Sequence, residues 1–313
     1  EPILKDGTAK PRTTRIERTS DLALILAYVI SVTLYIRILA AFLFGGLGHD
    51  TPLNEHLLTV GVIAVIGVVG YLRGLNMLQR LEDWALWITI VIILALFAGF
   101  ALFDLGAIRG DGIQLPDRPD HTWWEVLTII GGTLIVVQGF ETSRYLGGQF
   151  DTATRIRSSR LSQIISTAVY LAFVGLATPL MHFLGDAVED NALIMLAGKA
   201  SVLLPIPLVV AAVLSQFSAA VADTMAGGGN AVEVTKGHVD AKHAYLFMCG
   251  LAIVLSMADT LTILALASRA FAFYYTLQCV VAITISKSTP QRLGMGLVAA
   301  VLLFITLFAV PAG

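Results

Sequence analysis

Five charged side chains lie within or at the margins of long apolar runs: Arg37, Glu141, Arg144, Asp223 and Arg269. An ion at that depth costs about 3 kcal/mol even on lenient insertion scales, so each needs a partner or a task. The densest group is Gln138-Gly139-Phe140-Glu141-Thr142-Ser143-Arg144, preceded by Gly131-Gly132 and followed by Gly147-Gly148. A carboxylate, hydroxyls and pliant backbone within one short stretch suit a small charged solute. A second group is Ser215 and Ser218, which share a helical face with Ala219, Ala222 and Ala226. Small residues allow close helix approach, and hydroxyl and carbonyl oxygens suit a hard cation. Packing alone explains that face equally well. Hydrolytic and phosphate-binding signatures (HExxH, GxSxG, GxxxxGK[ST]) do not occur, and the six histidines form no i,i+4 pair. Cys249 and Cys279 sit in apolar runs without a CxxC neighbour, as small buried hydrophobes do.

The elements that must hold these groups are membrane helices. The 313 residues are 57% hydrophobic and 13% charged, with a mean hydropathy of +0.81. A soluble domain carries roughly 25% charged residues. This composition excludes a soluble enzyme, a disordered tail and a collagen-like chain, and the apolar runs are too continuous for a β-barrel. The net charge of −2 argues against a nucleic-acid partner. Nine apolar segments are expected, at about 21–45, 57–72, 84–104, 124–148, 161–185, 202–226, 243–257, 260–286 and 294–312, after a polar cytoplasmic segment at 1–20. The second and seventh are short for ~30 Å of hydrocarbon. Alternate loops divide the Lys and Arg residues fifteen to three, with Arg37 and Arg269 inside spans. By the positive-inside rule the amino-terminal side is then cytoplasmic. The four tryptophans lie near segment ends, where interfacial anchoring is expected.

Within the fourth segment, five glycines and a polar cluster predict a discontinuous helix, unwound at Gly139. Freed backbone groups are tolerated at membrane depth where they line a polar cavity, and the start of the second half-helix favours an anionic group. A continuous helix with an i,i+3 Glu141–Arg144 pair is the alternative. Counted from Val202, Ser218 lies about 24 Å and Asp223 about 31 Å along its helix, so Asp223 is expected to face the cytoplasm. Gly227-Gly228-Gly229 would then stop that helix. Arg37 and Arg269 lie at matched depths, about 10–12 Å from the outer surface, and are expected to line an outer vestibule as gating or ion-pairing groups; Arg144 and Asp223, towards the cytoplasmic side, are expected to gate or ion-pair as well.

The Gly139-Phe140-Glu141 break resembles the sixth helix of the amino acid–polyamine–organocation (APC) superfamily of transporters, and Ser215-Gln216-Phe217-Ser218 resembles its eighth. The resemblance spans nearly the whole chain. It implies an all-α polytopic fold of two inverted five-helix repeats, of which residues 21–104 supply three helices of an incomplete first repeat. Residues 124–286 would form the second repeat and 294–313 an additional helix. The first two helices of that fold, including its first broken helix, have no counterpart here, and the chain opens on Glu1; a fragment is expected.

The resemblance further implies a cation-coupled symporter of an amino acid or related zwitterion, working by alternating access in the cell (inner) membrane. Gly139, Phe140, Glu141, Thr142 and Tyr35 would border the substrate. Ser215 and Ser218 would hold sodium. The third segment has no Lys or Arg of the kind some proton-coupled members use, which favours sodium over a proton. No other cofactor is expected, and the partners are a small solute and the bilayer, with no oligomeric state implied. The competing functions are an intramembrane enzyme using Glu141, Asp223 or Ser218, for which no catalytic spacing exists, and a channel or non-transporting sensor on the same fold.

Overall fold

The computed structural model describes residues 11–49, 51–75, 79–110, 112–116, 120–143, 150–184 and 191–311. The helices are α1 (Pro11–Leu47), α2 (Pro52–Arg73), α3 (Gln79–Arg109), α4 (Trp123–Gly132), α5 (Thr152–Ala177), α6 (Ala192–Ala200), α7 (Pro205–Val234), α8 (Ala241–Leu255), α9 (Thr260–Ile285) and α10 (Thr289–Phe308). Short 3-10 turns cover Leu134–Val137 and Thr178–Phe183, and no strand occurs among the described residues. Among the described residues, seven helices are long and apolar enough to cross a bilayer, or eight with the bent pair Trp123–Gly132 and Leu134–Ser143 taken as one span. The protein is thus an all-α polytopic membrane protein, as its composition requires.

Local chemistry explains most boundaries. α2 opens with Pro52 at its first position, and the Thr51 hydroxyl accepts from the Asn54 amide at 3.3 Å. Its 22 residues reach about 33 Å, so the segment expected to be short is long enough to span. α8 has 15 residues, about 22 Å, and remains the short one. Asp259 caps α9 by accepting from the Thr262 amide at 2.8 Å, directly after α8 ends.

Two compact units divide the chain. The first comprises residues 1–34, 121–138 and 223–313. Here α9 packs along α10, with Ala272, Cys279 and Leu302 at the centre of their contact. Tyr28 of α1 meets Phe271 of α9 edge-on, ring centroids 6.0 Å apart. Within the polar segment expected at 1–20, residues from Pro11 onward extend α1 and dock on α9. Ser20 is buried, and its hydroxyl accepts from Gln278 Nε2 at 2.9 Å. Polar side chains on one face of an amphipathic start gave this stretch a polar average although one side of it is a contact face.

The second unit comprises residues 35–120 and 139–222. Phe42, Leu96, Phe100, Leu180, Leu196, Leu204 and Leu208 form its core. α6 lies in what the sequence suggested was an outside loop; its signal is the apolar run Ala192-Leu193-Ile194-Met195-Leu196.

The glycine triplet corrects another expectation. α7 continues through Gly227, Gly228 and Gly229 to Val234. A Cβ on Gly227 would sit 2.2 Å from Met248 Cε, and one on Gly228 would sit 2.2 Å from the Tyr245 ring. These glycines serve close approach of α8 to α7, where packing outweighs the ~1 kcal/mol that each costs a helix interior.

Candidate functional site

The fourth span is interrupted. α4 ends at Gly132, and the following helical stretch turns away by 49°. Leu134–Val137 is 3-10, Gln138 is extended (φ −80°, ψ 177°), and Gly139 has φ +110°. That φ is reached readily by glycine alone. The α-helix therefore breaks near Thr133, earlier than the expected Gly139, and Gly139 is a second break. The reason lies in packing. A Cβ on Gly132 would come within 2.0 Å of the Val310 carbonyl oxygen, and the Val310 amide donates to the Thr128 carbonyl at 3.1 Å. Gly131 faces Ile305 and Ala309 in the same way. Gly131 and Gly132 thus serve contact with the end of α10.

A broken helix leaves carbonyls and amides without their i,i+4 partners. Most are claimed by the protein itself. Ser268 of α9, fully buried, donates to the Gly132 carbonyl at 2.6 Å and accepts from the Ile135 amide at 3.1 Å. The Gln138 amide reaches the Ile135 carbonyl at 3.3 Å. In the second unit Glu141, 7% exposed, folds back so that Oε2 accepts from the Gly139 amide at 3.0 Å. Thr142 Oγ1 donates to the Gly139 carbonyl at 2.7 Å. Phe140 beside them is exposed. Gly139, Glu141 and Thr142 therefore form one hydrogen-bonded turn that exposes an aromatic face beside a largely buried carboxylate. Ser268 was not assigned a role from sequence. Its only signal was its place in a run of small residues ahead of Arg269.

The other expected residues fall as follows. Tyr35 and Arg37 are half-buried on the part of α1 in the second unit. Arg144 lies outside the described residues. Ser215 Oγ donates to the Ala212 carbonyl of its own helix at 3.2 Å, and Ser218 is half-buried. Arg269 donates through Nε to the Thr306 carbonyl at 2.9 Å and through Nη2 to the Leu307 carbonyl at 2.7 Å. Those are among the last carbonyls of α10, where a cation complements the helix dipole. Asp223 departs from expectation. It is 4% exposed within a continuous helix, and it accepts a hydrogen bond from Ser31 of α1, so it does not face the cytoplasm. No group of three or more His, Cys, Asp or Glu arranged for a metal occurs among the described residues.

Comparisons with known proteins agree with this architecture. A family model described as "APC superfamily transporter" matches residues 1–309. An uncharacterized protein of Aquifex aeolicus (strain VF5) is 36% identical over 317 residues, covering 98% of this chain and 76% of that protein.

Proposed function

The chain belongs to the APC superfamily of transporters, and we propose that it works as a cation-coupled symporter of an amino acid or related small zwitterion by alternating access. The observation carrying this is the interrupted fourth span. Transporters place solute sites at discontinuous helices, where backbone groups and half-helix ends meet the substrate. In the turn at Gly139–Thr142 the Glu141 carboxylate is a natural acceptor for a substrate ammonium group, and Phe140 offers an apolar surface for its side chain. Tyr35 belongs to the same unit and would contribute a hydroxyl. In this reading the substrate displaces the Gly139 amide from Glu141, so binding exchanges a hydrogen bond from a neutral amide for an ion pair with the ammonium group. The amino-terminal side faces the cytoplasm of a cell (inner) membrane, on the basis of the fifteen-to-three division of basic residues.

The test is uptake by the purified protein in lipid vesicles against a panel of amino acids and amines. At least one amino acid should be taken up, and Glu141→Ala should abolish that uptake at unchanged protein level. Undiminished uptake in Glu141→Ala would remove the carboxylate from the site.

A further inference from the structure

α1 is longer than a bilayer requires. Its 37 residues reach about 55 Å, against ~30 Å of hydrocarbon, so part of it must leave the apolar layer. The two sides of its first turns differ. Thr13, Ser20, Leu24 and Ala27 are buried, and their spacing returns them to one helical face. That face docks on α9: the Thr13 and Thr284 hydroxyls lie 3.3 Å apart, and Gln278 donates to Ser20. Arg12, Arg15, Arg18, Leu22 and Leu26 are exposed. Steps of three and four residues gather them on the opposite face.

The exposed face changes character along its length. Leu26 and Leu22 are 50% and 53% exposed and present an apolar surface outward, as lipid-facing side chains do. Arg18 lies about 6 Å beyond Leu22 along the axis, and Arg12 about 15 Å beyond it. The headgroup layer is about 5–8 Å deep on each side of a bilayer, and arginine side chains can lean along it. The arginines thus continue the lipid-facing surface into the headgroup layer. Their position is unfavourable within the helix itself. Three cations in the opening turns oppose the positive end of the helix dipole, and the first turn holds no acidic residue. Glu17 is half-buried towards the docked side. Lys287, three residues past Thr284, is a further exposed cation at this end of the unit. An anion supplied from outside the protein would offset this accumulation of positive charge.

We propose that the face of α1 bearing Arg12, Arg15 and Arg18 binds the headgroups of anionic phospholipids in the adjoining leaflet, with Lys287 at its margin. Phosphate oxygens accept from the planar guanidinium groups, which can offer two donors at once. The acyl chains of the same lipids run along Leu22 and Leu26. A zwitterionic headgroup brings its own cation and competes poorly. Because the opposite face of this stretch is fastened to α9 through Thr13 and Ser20, bound lipid steadies the pairing of α1 with α9. The inference is independent of which solute the protein carries.

The test measures lipid retained by the full chain in neutral detergent, titrated with phosphatidylglycerol or with phosphatidylcholine of the same acyl chains. The unaltered protein should prefer phosphatidylglycerol. A basic residue at a membrane surface is worth about fivefold in affinity for anionic lipid. Arg15→Gln should therefore weaken phosphatidylglycerol binding about fivefold, and Arg12→Gln/Arg15→Gln/Arg18→Gln on the order of a hundredfold. The corresponding triple Lys variant should keep most of the binding. No preference for phosphatidylglycerol in the unaltered protein overturns the site, as does an undiminished preference in the triple Gln variant at an unchanged melting temperature. Arg109→Gln, in the sparsely basic set of loops, should change binding by less than about twofold. A loss there as large as in Arg15→Gln reduces the effect to net charge and overturns the site. Inorganic phosphate in the millimolar range should leave the lipid bound; displacement would make a soluble anion the occupant and overturn the lipid assignment.

Discussion

Ser268→Ala is the sharpest probe of the interrupted span. Its hydroxyl holds both the Gly132 carbonyl and the Ile135 amide, at 2.6 and 3.1 Å, from a position with no solvent exposure. Alanine removes both bonds while leaving the neighbouring Arg269 contacts in place. Each orphaned buried group costs about 1–3 kcal/mol in a rigid site, whereas interhelical polar bonds measured in membranes average about 0.6 kcal/mol. Two lost bonds with partial relaxation give about 2 kcal/mol. That corresponds to roughly a thirtyfold shift in local opening, at 1.4 kcal/mol per tenfold. Hydrogen exchange, resolved to residues 132–138 by fragmentation, reads this directly. The Ile135 amide should lose about thirtyfold protection in Ser268→Ala, and Ser268→Thr should restore much of it. Equal protection of Ile135 in the unaltered and Ser268→Ala proteins would show that the serine does not hold the break.

Two further outcomes test the packing and the caps. Gly228→Ala should destabilise by about 1–3 kcal/mol because the new methyl meets the rigid Tyr245 ring. Gly227→Ala should cost less because it meets the flexible end of Met248; thermal melting in detergent gives the order, and the reverse order would refute it. Asp240 caps α8 outside the apolar run, accepting from the His243 amide at 2.9 Å and facing the His243 ring, and these contacts hold its carboxyl below the ordinary range. Its stabilising effect is therefore present above the ordinary carboxylate pKa and lost as pH falls through the lowered value. Asp240→Asn should flatten the acid side of a melting-temperature profile, and an unaltered slope would count against the cap.

Much of this molecule was legible in one dimension. Hydropathy is a local sum over about 20 residues, so the membrane class, most of the spans and the existence of a break beyond Ile130 followed from residues adjacent in the chain. Capping residues such as Thr51 and Asp259 were equally local. Family membership rested on the Gly139-Phe140-Glu141 and Ser215–Ser218 stretches, and it held. What tertiary structure decided was the use of each polar or small residue. Whether a glycine ends a helix or admits a neighbour depends on what stands opposite. Val310 stands opposite Gly132, and Tyr245 stands opposite Gly228. Whether Asp223 meets water or Ser31 depends on a residue far away in the chain. Ser268 acquires its role only because α9 lies against the end of α4. Composition records that a polar group is present; the partner that satisfies it comes from distant chain, and only folding brings the two together.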